Sequence, residues 1–491
     1  MADLAPEKAQ SASAPASTIN SRAATPSNAG AEKAPDDSSK FKTFLSILRR
    51  FIGVSDLAAV RFSLPAQLLE PRPNLGMLAE HRPRRIQGHA GHGLTESRVL
   101  ALLGQARHIH QVSAAWSYVK RAMTDSRSIG DSDEDLGRML GCLRFWFTKD
   151  LKYVKGKPCK PYNSTLGEFF RCNWKIEDTH PTLKTPTSAP ASAASSAKGD
   201  GKTVTVSYLT EQTSHHPPVS AFYVDCPEKG ISARGYDQLS AKFTGTSVRV
   251  VAGAHNLGIF INLKNRDNEE YQLTHPAAYL GGILRGSLNV SVADSCFITC
   301  PKTGLKVILE YLEEGWLGRS QNKVLGVIFK YDPNNDTITK IKDVPEKDVL
   351  GRIEGNWQDK IYYTLGSKPF AKVPEKNLII DLAPLDPVAK IVPPIDQQLP
   401  NESLKFWDGV TNAIVGKQYG VATNLKTEIE EKQRQKAAER KAADREWQPR
   451  FFTGAVTPVG KPDLTKDGEE ALKRLHEENY ELSPGQEYGA F

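Results

Sequence analysis

Apolar and polar positions change rhythm several times along this 491-residue chain. Residues 1–37 are rich in Ala, Ser and Pro and carry no apolar period, which reads as a disordered tail. A stripe then begins. Phe41, Phe44, Leu45, Leu48, Phe51 and Ile52 recur at helical spacing, with Ser38 or Ser39 placed to cap the start and Gly53 the end. Lys40, Lys42, Arg49 and Arg50 flank the stripe, so it predicts a short amphipathic helix that lies on a membrane or closes over an apolar cavity. Asp135 to Leu151, "DLGRMLGCLRFWFTKDL", predicts a buried helix, and "LGEFFRCNWKI" a strand.

From Thr203 to Tyr331 the pattern becomes strand after strand. "GKTVTVSYLT", "ISARGYDQLSAKFTG", "SVRVVAG", "GIFINLKN", "EYQLTHPAAYLGGIL", "SLNVSVADSCFITC", "LKVILEYLEE" and "NKVLGVIFKYD" are β-branched or aromatic, and turn-like runs such as "CPEKG" and "YDPNND" separate them. Sequential strands without intervening helices predict an antiparallel sheet, which at this length closes into a barrel and so removes its edges. After about residue 400 the spacing turns helical. Its second half is charged on nearly every face and predicts a long exposed helix, with "EWQPRFF" folding back onto the body. The class is α+β, a large antiparallel β-barrel with helices before and after it. The plan is a tail at 1–37, a lid segment at 38–76 and an atypical stretch at 77–128. A barrel with its helices fills 129–400, including a low-complexity loop at 181–200, and a helical C-terminal region with a tail fills 401–491.

Composition narrows the partners. The net charge of +7 suits anionic lipid or phosphate and does not require nucleic acid. No apolar run approaches the roughly 18–20 residues of a membrane-spanning helix, and the N-terminus lacks a secretory pattern. Six cysteines without a CxxC pair suggest reduced thiols, and Cys296 and Cys300 fall on the same face of one strand. Residues 77–128 hold five histidines and eight Lys or Arg against three Asp or Glu, most of the excess charge. Their HxxH and HxH spacings lack the ligands that would complete a metal shell.

The chemistry concentrates at "YLTEQTSHHPPVSAFYV", Tyr208 to Val224, where His215 and His216 are neighbours that a regular strand would send to opposite faces. A zinc site wants three ligands and an open position, and no HExxH, GxSxG or glycine-rich phosphate loop accompanies the pair. Lys160 and Asn163 precede a strand in "KGKPCKPYNSTLGEFF", and Lys426, Glu430 and Arg434 share one helical face in "KTEIEEKQR". Cationic and amide groups brought together on a rigid rim would clamp an anion, with Glu430 holding Lys426 and Arg434 in place or accepting from a ligand hydroxyl. That is binding chemistry without a nucleophile, a metal or a cofactor.

"EQTSHHPP" resembles the signature of the oxysterol-binding-protein-related family and matches its EQxSHHPP pattern in full. "KPYNSTLGE" resembles the family's KPxNPxLGE segment, with Ser164 where proline is usual, and "GYDQLSAKF", "KTEIEEKQR" and "WQPRFF" resemble further blocks in the expected order. The resemblance spans roughly residues 38–76 and 129–455. It implies a barrel with a central lipid tunnel, closed by an N-terminal lid, that takes phosphatidylinositol 4-phosphate or a second lipid, a sterol in some members and phosphatidylserine in others. Carried over by position, the headgroup site is Lys160, Asn163, His215, His216, Lys426, Glu430 and Arg434. The resemblance also implies a cytoplasmic, non-enzymatic carrier bound peripherally to membranes such as the endoplasmic reticulum, the Golgi or their contact sites. Two departures bear on the sterol. Asp237 stands where sterol-binding members place an asparagine, and a glutamine expected on the next strand aligns near Gly253. "SLPAQLLEPRPNL" resembles a segment, LPxxxLEPR, shared with phosphatidylserine carriers.

Overall fold

β-branched and aromatic residues in alternation fit a pleated surface that is half or wholly buried, and after residue 168 they pair into a single sheet. The computed structural model describes residues 129–130, 132–149, 162–177, 203–243, 247–281, 289–312, 322–385 and 389–483. The lid stripe (Phe41, Phe44, Leu45, Leu48, Phe51 and Ile52), the stretch 77–128, the 181–200 loop and Lys160 lie outside them. Helix α1 is Asp135–Thr148. The strands are β1 (Phe169–Glu177), β2 (Thr203–His215), β3 (Pro218–Cys226), β4 (Ile231–Asp237), β5 (Leu239–Phe243), β6 (Val248–Ala252), β7 (Ile259–Leu263) and β8 (Glu269–Leu273). Then come β9 (Ala277–Gly281), β10 (Asn289–Cys300), β11 (Leu305–Tyr311), β12 (Lys323–Lys330), β13 (Val349–Asn356), β14 (Lys360–Leu365) and β15 (Asn377–Asp381). Helices α2 (Ser403–Phe406), α3 (Asp408–Val415), α4 (Tyr419–Ala442) and α5 (Lys466–His476) complete the order.

All fifteen strands belong to one sheet, with antiparallel neighbours in the order β1-β2-β3-β4-β7-β8-β10-β11-β12-β13-β14-β15. A branch runs from β5 through β6 and β9 back to β10, whose first residues pair with β9 and whose later ones pair with β8. The free edge of β1 is closed by the chain that follows β15. Asn173 and Ile391 exchange backbone hydrogen bonds of 2.8 and 2.9 Å, and Phe169 N donates to Asn401 O at 3.2 Å. The expected closure is therefore made by a short bridge, not by a full β1–β15 ladder.

One face of the sheet and α1 share the main core. Val204, Val206 and Tyr208 of β2 point into it, as do Phe170, Cys172 and Trp174 of β1 and the two cysteines of β10, Cys296 and Cys300. Residues 136–148 of α1 are buried on every side, which explains why its sequence lacks a polar stripe. The opposite face of β1 to β4 carries a second cluster. There Phe169, Leu209, Val219 and Tyr236 meet Phe451, Phe452, Ala471 and Leu472, so the "WQPRFF" segment does fold back.

Three readings of the sequence need correction. "EYQLTHPAAYLGGIL" is two strands, β8 and β9, separated at Thr274–Pro276, where Pro276 offers no amide to a ladder. "ISARGYDQLSAKFTG" divides at Gln238, whose carbonyl accepts from Gly253 N at 2.9 Å and from Asn256 Nδ2 at 3.3 Å. The sheet also continues past Tyr331 into β13, β14 and β15. Glycines hid β13. At Gly355 a Cβ would lie 2.3 Å from Lys360 O, so the close approach of β14 requires glycine there. Among the described residues no helix is long and apolar enough to cross a membrane.

The interior helix is tethered by charge. Arg138 Nε and Nη2 donate to the two Glu269 oxygens at 2.7 and 2.8 Å, and Tyr271 OH donates to Glu269 Oε1 at 2.6 Å. Burial alone would raise the Glu269 carboxyl, but the bonds from Arg138 and Tyr271 outweigh it and hold it below the usual carboxylate range. Removing one partner strands a buried charge. Arg138→Met is expected to cost about 3 kcal/mol, seen as a lower urea midpoint with an unchanged slope.

Candidate functional site

The octet that ends β2 divides its labour. Glu211 lies on the face opposite the main core, where its carboxylate accepts Arg450 N at 2.9 Å and Phe451 N at 2.8 Å. Gln212 Oε1 accepts from Ser220 Oγ at 2.8 Å, and its Nε2 donates to Ser214 O at 2.6 Å. Thr213 Oγ1 donates to Ala455 O at 2.6 Å, and Ser214 Oγ to Pro217 O at 2.8 Å. The ladder to β3 is irregular between Gln212 and Ser214, and the His216–Pro217 peptide is cis. His215 is the last residue of β2 and His216 sits in the turn beyond it, so the alternation expected of a regular strand does not apply to the pair. His215 is half-buried and His216 exposed, and their rings stand 4.7 Å apart at 64° on one side of the turn.

The second predicted segment is hitched to the same strand end. Gly167 N donates to Gln212 O at 2.9 Å, and Gln212 N to Glu168 O at 2.8 Å. Asn163 is exposed between the buried Tyr162 and Ser164. Tyr162 stacks on Trp407 at 4.7 Å, and its hydroxyl lies 3.1 Å from Thr411 Oγ1 of α3.

Glu168 joins these parts. Its side chain is wholly buried; Oε2 accepts from Thr165 N at 2.9 Å and from Trp407 Nε1 at 3.1 Å, and Oε1 lies 2.7 Å from Ser403 Oγ. Ser403 Oγ is also 3.1 Å from Phe169 O. The serine's single proton is shared between these two acceptors, the shorter contact being to Glu168. Burial pushes this carboxyl from its ordinary 4.5 up to about 7, against the lowering effect of the three hydrogen bonds. Beside it Arg171 Nε donates to Glu402 Oε1 at 3.2 Å in a fully buried pair, and Arg171 Nη2 donates to Tyr480 O at 2.7 Å. Burial raises the Glu402 carboxyl, and Arg171 opposes it.

The third segment lies on α4, which packs against α3, with Leu425 over Gly409. Lys426 is buried and its Nζ donates to Glu430 Oε1 at 2.6 Å, while Arg434 is exposed on the same helical face. The structure thus brings His215 to His216 and Lys426 to Glu430. A run of direct contacts through Gln212, Glu168, Trp407 and α3 connects the two pairs. Among the described residues no cluster of three or more His, Cys, Asp or Glu is placed to hold a metal ion.

Sequence reasoning passed over Glu168, Glu211 and Glu402. The available signal was a carboxylate inside or just ahead of an apolar run, where only a specific partner makes burial tolerable. Gly253 gains a reason as well. A Cβ there would stand 2.5 Å from Gln238 Cδ, because the Gln238 side chain folds over it to accept from His255 N at 2.7 Å.

Two consequences are measurable. Glu211→Ala leaves two backbone amides unpaired and is expected to cost about 2–4 kcal/mol, with Phe451 and Phe452 becoming protease-accessible. Unfolded Glu168 loses its proton near 4.5 and folded Glu168 near 7. Between those values the native state holds the extra proton, so stability falls as pH rises, by roughly 3 kcal/mol across the window. Glu168→Gln removes the titrating group. The native-minus-variant difference in thermal midpoint is expected to shift against the native chain as pH rises from 5 to 8.

A family profile described as oxysterol-binding protein matches residues 125–412. Oxysterol-binding protein-like protein 1 of Schizosaccharomyces pombe is 39% identical over 90% of this chain and 92% of its own length. Oxysterol-binding protein-related protein 9 of Homo sapiens is 30% identical over 66% of this chain but only 40% of its own length. Among solved structures, the Osh1 ORD domain with ergosterol superposes with a TM-score of 0.56 at 18% identity, covering 89% of this chain and 88% of that one. The Osh3 ORD of Saccharomyces cerevisiae with PI(4)P gives 0.52 at 16% identity, covering 92% and 95%. The chain belongs to the oxysterol-binding protein family.

Proposed function

We propose that the chain extracts phosphatidylinositol 4-phosphate from membranes and exchanges it for a second lipid, a sterol. The observation that carries this reading is the pair of imidazoles held 4.7 Å apart at the end of β2, on a scaffold that also fixes the helices bearing Lys426 and Glu430. Imidazole, ammonium, guanidinium and amide groups all donate to phosphate oxygens. His215, His216, Lys426, Arg434, Asn163 and Lys160 supply that set, and Glu430 steers the Lys426 ammonium. Lys426 is buried, with its ammonium on the Glu430 carboxylate, and a bound phosphate adds negative charge where desolvation makes it most effective.

Exposing acyl chains to water costs about 0.8 kcal/mol per CH2, so a carrier encloses them. A sheet closed on itself is the architecture that does so without exposing backbone edges. Competition of two lipids for one interior lets a phosphoinositide gradient drive the second lipid without covalent chemistry. The Osh1 domain bound to ergosterol and the Osh3 domain bound to PI(4)P support both halves of this cycle. Phosphatidylserine is the competing second lipid, favoured by the LPxxxLEPR likeness.

The His215→Ala/His216→Ala double variant is expected to lose at least about tenfold in phosphatidylinositol 4-phosphate extraction from liposomes while keeping sterol binding. Extraction at the native level would defeat the reading. Mass spectrometry of lipid that co-purifies with the native chain identifies the second lipid, and phosphatidylserine without sterol would replace that half of the proposal.

A further inference from the structure

Helices α3 and α4 meet at a three-residue corner, Gly416 to Gln418, in which Lys417 takes a left-handed backbone at φ 58°. Val415 ends α3 with 52% of its surface exposed, and Val421 opens α4 with 50% exposed. Seven large apolar side chains are exposed among the described residues, and these two flank one turn. Their neighbours on the helices, Val410, Ala413, Ile414 and Ala422, are buried. The two valines therefore stand off the packed face. Gly416 and Gly420 keep the corner slim, and Lys417 is exposed at its apex.

Charge singles out the same corner. The chain has 57 Asp and Glu, yet residues 409–427 contain none, and their two charged residues are Lys417 and Lys426. An apolar pair beside a lysine, on a stretch of chain without Asp or Glu, is complementary to an anionic bilayer surface. Lys426 lies five residues beyond Val421, roughly 7.5 Å along the helix axis at 1.5 Å per residue. A bilayer touching the corner would thus present its phosphates beside the headgroup residues of α4.

We propose that the α3–α4 corner is a membrane-docking edge, in which Val415 and Val421 enter the interface of an anionic bilayer while Lys417 pairs with lipid phosphates. This rests on the reading that the chain works at membranes, and it adds a surface distinct from the headgroup ligands. The test uses the full chain and vesicles of phosphatidylcholine and phosphatidylserine that contain no phosphoinositide. Val415→Ser/Val421→Ser is expected to bind these vesicles roughly tenfold more weakly, and Lys417→Glu to weaken binding and reduce its salt dependence. Both variants should bind soluble short-chain phosphatidylinositol 4-phosphate as the native chain does. Failure of the native chain to bind that soluble lipid would sink the carrier reading and leave the docking edge standing. A Val421→Cys chain carrying an environment-sensitive fluorophore, corrected for native chain treated alike, should shift to the blue on these vesicles. Native-level vesicle binding by both variants, loss of soluble-lipid binding in either, or an unshifted fluorophore would overturn the proposal.

Discussion

Glu168 occupies a position where a carboxyl group has no water and three protein donors within reach. Its side chain takes up those donors and ties the loop before β1 to the start of the C-terminal helices, while its backbone carbonyl accepts from Gln212 N at the end of β2. Each of those pieces carries a residue singled out for anion binding. Without the buried hub they are three surface segments far apart in sequence. With it, Asn163, the two histidines and the helix of Lys426 share one frame.

The division within "EQTSHHPP" follows from the same logic. Four of its side chains face the protein: Glu211 receives two amides of the returning C-terminal segment, Gln212 braces the hairpin, and Thr213 and Ser214 bind carbonyls on either side. Beyond them His216 is exposed and His215 half-buried. A signature that looks uniformly functional is mostly a mounting, and the two adjacent rings meet where the strand gives way to the turn.

Much of this could be read from residue order. Period-two segments located most strands, the largely apolar run at α1, without a polar stripe, announced an interior helix, and "WQPRFF" was apolar enough to require cover. Where the reading failed, a backbone contact had overruled side-chain pattern. β13 tolerates Gly351 and Gly355 because neighbouring carbonyls come close, and the split at Gln238 depends on hydrogen bonds invisible in a string of letters. At the candidate site, the Lys426–Glu430 pairing was accessible through helical spacing. The apposition of the imidazoles was not, because it depends on where β2 ends, and the role of Glu168 was not, because Ser403 and Trp407 come from far along the chain.

The placement of α1 has a kinetic corollary. Arg144 on this helix donates to Ile379 O at 3.0 Å, across 235 residues of chain, and Trp146 Nε1 to Tyr311 OH at 3.1 Å across 165. During synthesis the helix leaves the ribosome long before the strands that wall it in. Such distant pairings form slowly, so an uncommonly apolar segment must pass that interval with its greasy flanks unshielded, and nascent chains interrupted before β15 should be the ones that chaperones hold longest.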